Sequence, residues 1–257
     1  IIPCILISCA SDEDPVKLEA RNWTVDKLYS EAHSAMQDKS YNRAIKLYNV
    51  LESTYPYGVY AQQGLLELSY TYYQDNQTEL AIPTIDQFIK TYPTNSNMDY
   101  ALYLKGFINY KIDNGLFASF TRQDMSERDS KNIEEAYAAF SQLIQSYPNS
   151  EFVKDARIKN DLIVNMMARS EIYRARYYMN IKAYLAAINR AQNVIINYSQ
   201  TSFLEEALAM QVFAYNQLSE KDLAKSTLDI LRLNFPNSKY LYTNWQADEI
   251  PWYAIWR

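Results

Sequence analysis

The side chains that most often carry covalent or metal chemistry are scarce in this chain and poorly placed for it. There are two cysteines, Cys4 and Cys9, and one histidine, His33. A disulfide framework or a thiolate metal site needs cysteines spread through the fold, and residues 10–257 contain none. No HExxH, GxSxG, GxxxxGK[ST] or paired-cysteine motif occurs, so no nucleophile is matched with a base and no loop is built to cradle phosphate. We expect no catalytic residues, no metal site and no cofactor. His33 falls at an inward position of a helix and reads as a wall residue rather than a ligand or a base.

One cysteine has a different chemistry available to it. Leu6-Ile7-Ser8-Cys9 resembles the bacterial lipobox, an apolar and small-residue string at which the Cys becomes lipidated. Residues 1–8 then read as the remnant of an apolar signal segment. The polar stretch Ser11-Asp12-Glu13-Asp14-Pro15 belongs to a lipidated N-terminus and linker over 9–24. Cys9 is preferred to Cys4, which follows Pro3. Several acyl chains anchor stably, each buried CH₂ contributing about 0.8 kcal/mol. No apolar run of about 20 residues is present to span a bilayer.

Any such anchor must present something, and the composition narrows what. Four glycines and eight prolines are too few for the turns and bulges of an all-β fold of this size. A formal net charge of −5 with no basic stripe argues against nucleic acid as a ligand. The 24 tyrosines point to half-exposed adhesive surfaces, because each buried hydroxyl would need a partner.

Self-similarity is the dominant signal. A small residue, a residue four later and an aromatic stop recur as Ala44/Tyr48/Tyr55-Pro56 and Ala81/Ile85/Tyr92-Pro93, 37 residues apart. The pattern continues as Ala136/Phe140/Tyr147-Pro148, Ala187/Ala191/Tyr198-Ser199 and Ala224/Leu228/Phe235-Pro236. A preceding amphipathic helix carries Ala32, Ser69, Gly106 or Ala175 near its centre, small enough for two helices to approach closely. Ser202-Phe203-Leu204-Glu205 reads as a capping box opening the last pair. These features predict an all-α, tetratricopeptide-type (TPR) solenoid of five helix-turn-helix repeats.

The repeats divide the chain into 25–98 (repeats 1–2), 99–150 (repeat 3, with an insertion at 113–130), 151–240 (repeats 4–5) and an aromatic tail at 241–257. The 55-residue step from Ala81 to Ala136 locates the insertion. The 51-residue step from Ala136 to Ala187 predicts a long helix over about Phe152–Tyr178. On it Arg169, Arg174 and Arg176 read either as a basic edge or as a solvated face. The tail, with Trp245, Trp252 and Trp256, reads as a cap over the last repeat.

In TPR geometry the first helix of each pair lines the concave surface. That places Gln63, Leu66, Tyr70 and Tyr73 of the second pair inward, with Tyr100, Tyr103, Phe107 and Tyr110 of the third. Such a trough suits an extended peptide carrying aromatic side chains; packing between repeats is the alternative. Arg190, beside Ala187 and Ala191, is expected to point away from the first helix of its own pair.

The lipobox, the five units and the string Tyr55-Pro56-Tyr57-Gly58-Val59-Tyr60-Ala61-Gln62-Gln63 together resemble the BamD family, TPR lipoproteins of the outer-membrane β-barrel assembly (BAM) machinery. Asn97-Met98-Asp99-Tyr100, Ser126-Glu127-Arg128-Asp129, Tyr147-Pro148-Asn149-Ser150 and Asn189-Arg190 extend the likeness from about Cys9 to Tyr240. The resemblance implies a lipid-anchored, periplasm-facing scaffold. Ala10 follows the Cys, where the family's inner-membrane retention signal would be Asp, which implies the outer membrane.

The implied partners are the POTRA region of a BamA-like barrel protein, docked on repeats 4–5 through Arg190, and other BAM lipoproteins. Repeats 1–2 would receive the C-terminal segments of unfolded outer-membrane protein clients. The peptide-binding set on this reading is Tyr57, Tyr60, Gln63, Tyr70, Tyr73, Tyr100, Tyr103 and Phe107. The tail 241–257 departs from the family pattern. An alternative function is a periplasmic TPR adaptor coordinating cell-envelope synthesis. A lytic-transglycosylase-like enzyme would need a globular domain with a catalytic acid, which this sequence does not show.

Overall fold

The computed structural model describes residues 14–117, 131–243 and 245. Among these, every regular element is helical. The first unit, residues 1–112, contains α1 (Pro15–Ala20), α2 (Val25–Gln37), α3 (Tyr41–Thr54), α4 (Val59–Gln74), α5 (Thr78–Thr91) and α6 (Met98–Phe117) through Ile112. The second, residues 113–257, contains α7 (Lys131–Ser146), α8 (Val153–Asn180), α9 (Tyr184–Asn197), α10 (Leu204–Gln217), α11 (Lys221–Asn234) and a 3₁₀ turn at Lys239–Leu241. In the first unit α2 packs on α3, α3 on α4 and α4 on α5, with α1 on α3 and α2 also touching α4. In the second α7 packs on α8, α8 on α9, α9 on α10 and α10 on α11, with α8 also touching α10. This is the expected TPR-type stacking of helix pairs.

The small residues do what their spacing predicts. Ala32, Ala44, Ala81, Ala136, Ala175 and Ala187 are at most 1 % exposed, so each marks a seam where two backbones close up. Ser69 occupies such a seam by donating its hydroxyl to the Ala81 carbonyl at 2.8 Å, which cancels the cost of burying it. Gly64 marks a further close approach: a Cβ there would lie 2.7 Å from Leu51 Cδ2.

The turn inside each pair comes from a device the sequence does not advertise. α2, α4, α8 and α10 are each followed by a non-glycine residue in the left-handed region: Lys39, Asn76, Lys182 and Ser219, at φ 60–64°. The next amide then reaches back five residues, as Ser40 N–H to Ala35 O, Gln77 to Tyr72, Ala183 to Tyr178 and Glu220 to Tyr215. This is a Schellman closure, and the recovered carbonyl bonds offset the roughly 1–2 kcal/mol that an L-residue loses in that conformation.

After each second helix the aromatic residue closes the last turn, as Tyr92 N–H to Phe88 O and Phe235 to Leu231. From the second pair on, its own carbonyl accepts from the residue three later, as Asn95 N–H to Tyr92 O and Ser150 to Tyr147. Proline at the second position of that turn presets its φ. Thr201 N–H to Tyr198 O shows that Ser199 can substitute.

Several expectations need correction. Residues 15–20, read as linker, form a short helix capped by Asp14 and held to α3 by Glu19–Arg43 (3.1 Å) and Asp14–Lys46 (2.9 Å). The Ser202/Glu205 capping box does not form: α10 starts after Phe203 with no side-chain cap, because the Thr201 turn already sets the chain's entry. The long helix α8 spans 153–180, close to its predicted range. Of the insertion, 113–117 continue α6 and 118–130 lie outside the described residues. Cys4, Cys9, Trp252 and Trp256 lie outside them too.

In the second unit, Gln211 of α10 donates to the Ile188 carbonyl and to Gln192 of α9. One repeat later, α11 carries exposed Lys225, Asp229 and Arg232 at the positions of Ile188, Gln192 and Ile195. That face is therefore solvated. Trp245 is 6 % exposed and meets Phe213 of α10 edge-on at 6.0 Å, so the start of the aromatic tail packs into this unit's core.

Candidate functional site

In the first unit the inward faces of α4 and α6 bring together most of the predicted trough. Phe107 is flanked by Tyr73 (5.8 Å, edge-on) and Tyr103 (5.9 Å, stacked), and Lys111 Nζ lies 5.5 Å from its ring centroid. Tyr70, Tyr73, Tyr100, Tyr103, Phe107 and Tyr110 are all half-buried, neither core nor fully solvated. Burial, then the charges of Tyr70 and Glu67, push the Tyr100 hydroxyl up to about 12. Burial raises Tyr73 as well. Leu66 is a correction: at 2 % exposure it belongs to the core, since its place on α4 turns toward the packed seam.

The adjoining wall is organised by a residue the sequence reading missed. Glu67 of α4 accepts from Tyr29 Oη (2.9 Å) and Gln63 Nε2 (3.0 Å) on Oε1. Its Oε2 accepts from His33 Nδ1 (3.1 Å) and the Tyr48 hydroxyl. Four donors from α2, α3 and α4 thus converge on one carboxylate whose side chain is 12 % exposed. Burial and the Glu67 charge drive the Tyr29 and Tyr48 hydroxyls well above the ordinary tyrosine range.

His33 is a wall residue, as expected, held by Glu67. A signal was available, because Glu67 is the one charged side chain in the sixteen residues of α4. A lone carboxylate in an apolar, aromatic helix needs buried donors.

The remaining predicted residues are spread around this wall. Gln63 joins it to the turn that opens α6 by accepting from Asn97 Nδ2 at 3.2 Å. Tyr60 packs on Tyr29 with ring centroids 5.0 Å apart, and the Asp26 carboxylate beside its hydroxyl raises it. Tyr57 stands apart, 88 % exposed in the turn before α4. That turn needs Gly58, at φ 102°.

Arg190 sits in the second unit and does not point away from α8. Its Nη1 reaches Glu171 Oε2 on that helix at 3.4 Å, while Arg174 holds the other carboxylate oxygen at 3.2 Å. Glu171 is 8 % exposed, and a buried carboxylate draws a flexible guanidinium toward it. The basic edge is also corrected. Arg174 is spent on Glu171, and Arg176 forks onto Glu206 at 2.7 and 2.6 Å, leaving only Arg169 of the three on an exposed face.

A chain built as an array of helix pairs has matches among known proteins. The family model described as "Outer membrane lipoprotein" (YfiO) matches residues 21–231. This chain belongs to that family. A relative named outer membrane protein assembly factor BamD, from Neisseria meningitidis serogroup B, is 39 % identical over 98 % of this chain and 96 % of its own. The protein of that name from Neisseria gonorrhoeae is 40 % identical over 92 % of this chain and 88 % of its own.

The one from Vibrio cholerae is 33 % identical, covering 90 % and 94 %. As a member of the YfiO family the chain is an outer-membrane lipoprotein and a non-enzymatic scaffold. Among the described residues no helix is long and apolar enough to cross a membrane.

Proposed function

We propose that this chain is an assembly factor for outer-membrane β-barrel proteins, with one binding surface in each unit. The trough of the first unit receives the aromatic C-terminal segments of unfolded clients. The α8–α9 face of the second docks the POTRA region of a BamA-like barrel protein through Arg190, within a complex that includes other BAM lipoproteins. Acylation of Cys9 anchors the chain. The observation that carries the client reading is the half-buried aromatic row Tyr73–Phe107–Tyr103, whose rings meet at 5.8 and 5.9 Å outside the fully buried core. Tyrosine suits this role, since it offers large contact area at low entropic cost and keeps a polar tip for main-chain groups.

Replacing Tyr73 and Tyr103 with Ala strips Phe107 of both flanking rings. Each lost aromatic contact is worth about 1 kcal/mol, so the double variant is expected to bind a peptide ending in Phe about tenfold or more weakly. Titration of the peptide into the full chain, with circular dichroism showing unchanged helicity, measures this. Undiminished affinity rules the trough out as the client site.

A further inference from the structure

We propose that Glu67 sets the hydrogen-bond polarity of the wall formed by α2 and α4, so that the trough favours segments carrying a cationic side chain two positions from their aromatic residue. The inference rests on the client reading of that trough.

The argument starts from counting. A carboxylate has about four acceptor sites, and Tyr29, Gln63, His33 and Tyr48 occupy four on Glu67. No acceptor is left for a ligand, so Glu67 acts through the groups it holds. The two tyrosines spend their protons on the carboxylate and keep hydroxyl lone pairs, while Gln63 has its carbonyl oxygen taken by Asn97. Tyr29 keeps its hydroxyl oxygen as an acceptor. His33, donating from Nδ1 to Glu67, has its Nε2 met by the Gln37 amide at 3.5 Å and so shows no donor to the trough. The Asp26 carboxylate adds negative charge beside the Tyr60 hydroxyl. The wall therefore offers acceptors and negative charge in place of the donors that tyrosines and a histidine could have shown.

The cations of the neighbouring elements do not cancel this. Lys27 lies over the Trp23 ring at 4.3 Å, Arg43 is forked onto Glu19, and Lys46 is paired with Asp14. On the α5–α6 side Lys105 is paired with Asp86 at 2.8 Å, and Lys111 covers the far end of the trough over Phe107. A guanidinium, with five donors and a fixed charge, is the side chain such a wall selects. In an extended segment, residues two apart face the same way. The cation then belongs two positions from the aromatic residue.

The test uses the full chain and two peptides that end in Phe, one with Arg two positions earlier and the other with norleucine there. The Arg peptide is expected to bind about fivefold tighter, the effect of one charge-assisted bond at a half-solvated site. In Glu67→Gln one acceptor becomes a donor, bonds in the hub must reverse, and the preference is expected to shrink to less than about twofold. Tyr29→Phe, which removes one outward acceptor and keeps the carboxylate, should reduce it in part and serves where Glu67→Gln fails to fold. Equal binding of the two peptides by the unmodified chain overturns this inference and leaves the trough standing. A preference that survives both substitutions also overturns it. Failure of the unmodified chain to bind either peptide removes the client reading and this inference together.

Discussion

Charge reversal at Arg190 would be the natural test of the docking face, and the structure shows why it mixes two effects. Arg190 covers Glu171, whose side chain is 10 % exposed, at 3.4 Å, while Arg174 remains on the other oxygen at 3.2 Å. Removing Arg190 alone is cheap. The guanidinium is 40 % exposed, the contact is long, and screened pairs of this kind contribute about 0.5 kcal/mol. Arg190→Gln should therefore leave the melting temperature within about 2 °C of the parent.

Arg190→Glu instead places a second carboxylate near one that is already buried. At about 6 Å and an effective dielectric near 20 the bare repulsion is about 3 kcal/mol. Solvent at a 40 % exposed site and rotation of the shorter side chain reduce that to about 1 kcal/mol. The expected result is a melting point lower by about 2–4 °C, with the gap narrowing as salt is raised.

Both variants should lose affinity for a POTRA-containing partner by about tenfold or more, because a partner carboxylate would be left without its guanidinium. Differential scanning calorimetry and a calorimetric titration with that partner read the two halves separately. A glutamate variant as stable as the parent would show that Arg190 does not sense Glu171. Full partner affinity in Arg190→Gln would remove Arg190 from the docking face.

Cys9→Ala should leave the chain unacylated and extractable without detergent, and the native protein's intact mass should show a lipidated Cys9; a free thiol there refutes the assignment. The raised tyrosines make the first unit sensitive to alkali. Tyr100 is pushed up to about 12 in the folded state, against about 10 when unfolded, so the folded form holds its proton longer. That stability is present below pH about 10 and is lost as pH rises from about 10 to about 12, with Tyr29 and Tyr48 acting in the same direction. Tyrosinate absorbance should show a late-ionising fraction coincident with loss of helicity. Complete ionisation by pH about 10.5 with helicity intact would contradict it.

The sequence alone determined the repeat. Small residues 37 apart, at Ala44 and Ala81 and again at Ala187 and Ala224, can serve only where backbones meet closely, and the aromatic stops after them can only end helices, so they mark buried seams. It also determined which faces carry Tyr70, Tyr73, Tyr103 and Phe107, because a helix's period assigns its sides. Only the tertiary structure decided where the polar groups spend their hydrogen bonds. Glu67 gathers donors 19, 34 and 38 residues away, and Arg190 turns back onto Glu171 19 residues earlier. Periodicity specifies direction about one helix axis and is silent on which flexible side chain reaches which buried charge across a seam. The turns were hidden for a related reason. A left-handed lysine or serine is strained by itself, and it is chosen at Lys39 and Ser219 because the carbonyls it closes upon would otherwise be left without partners.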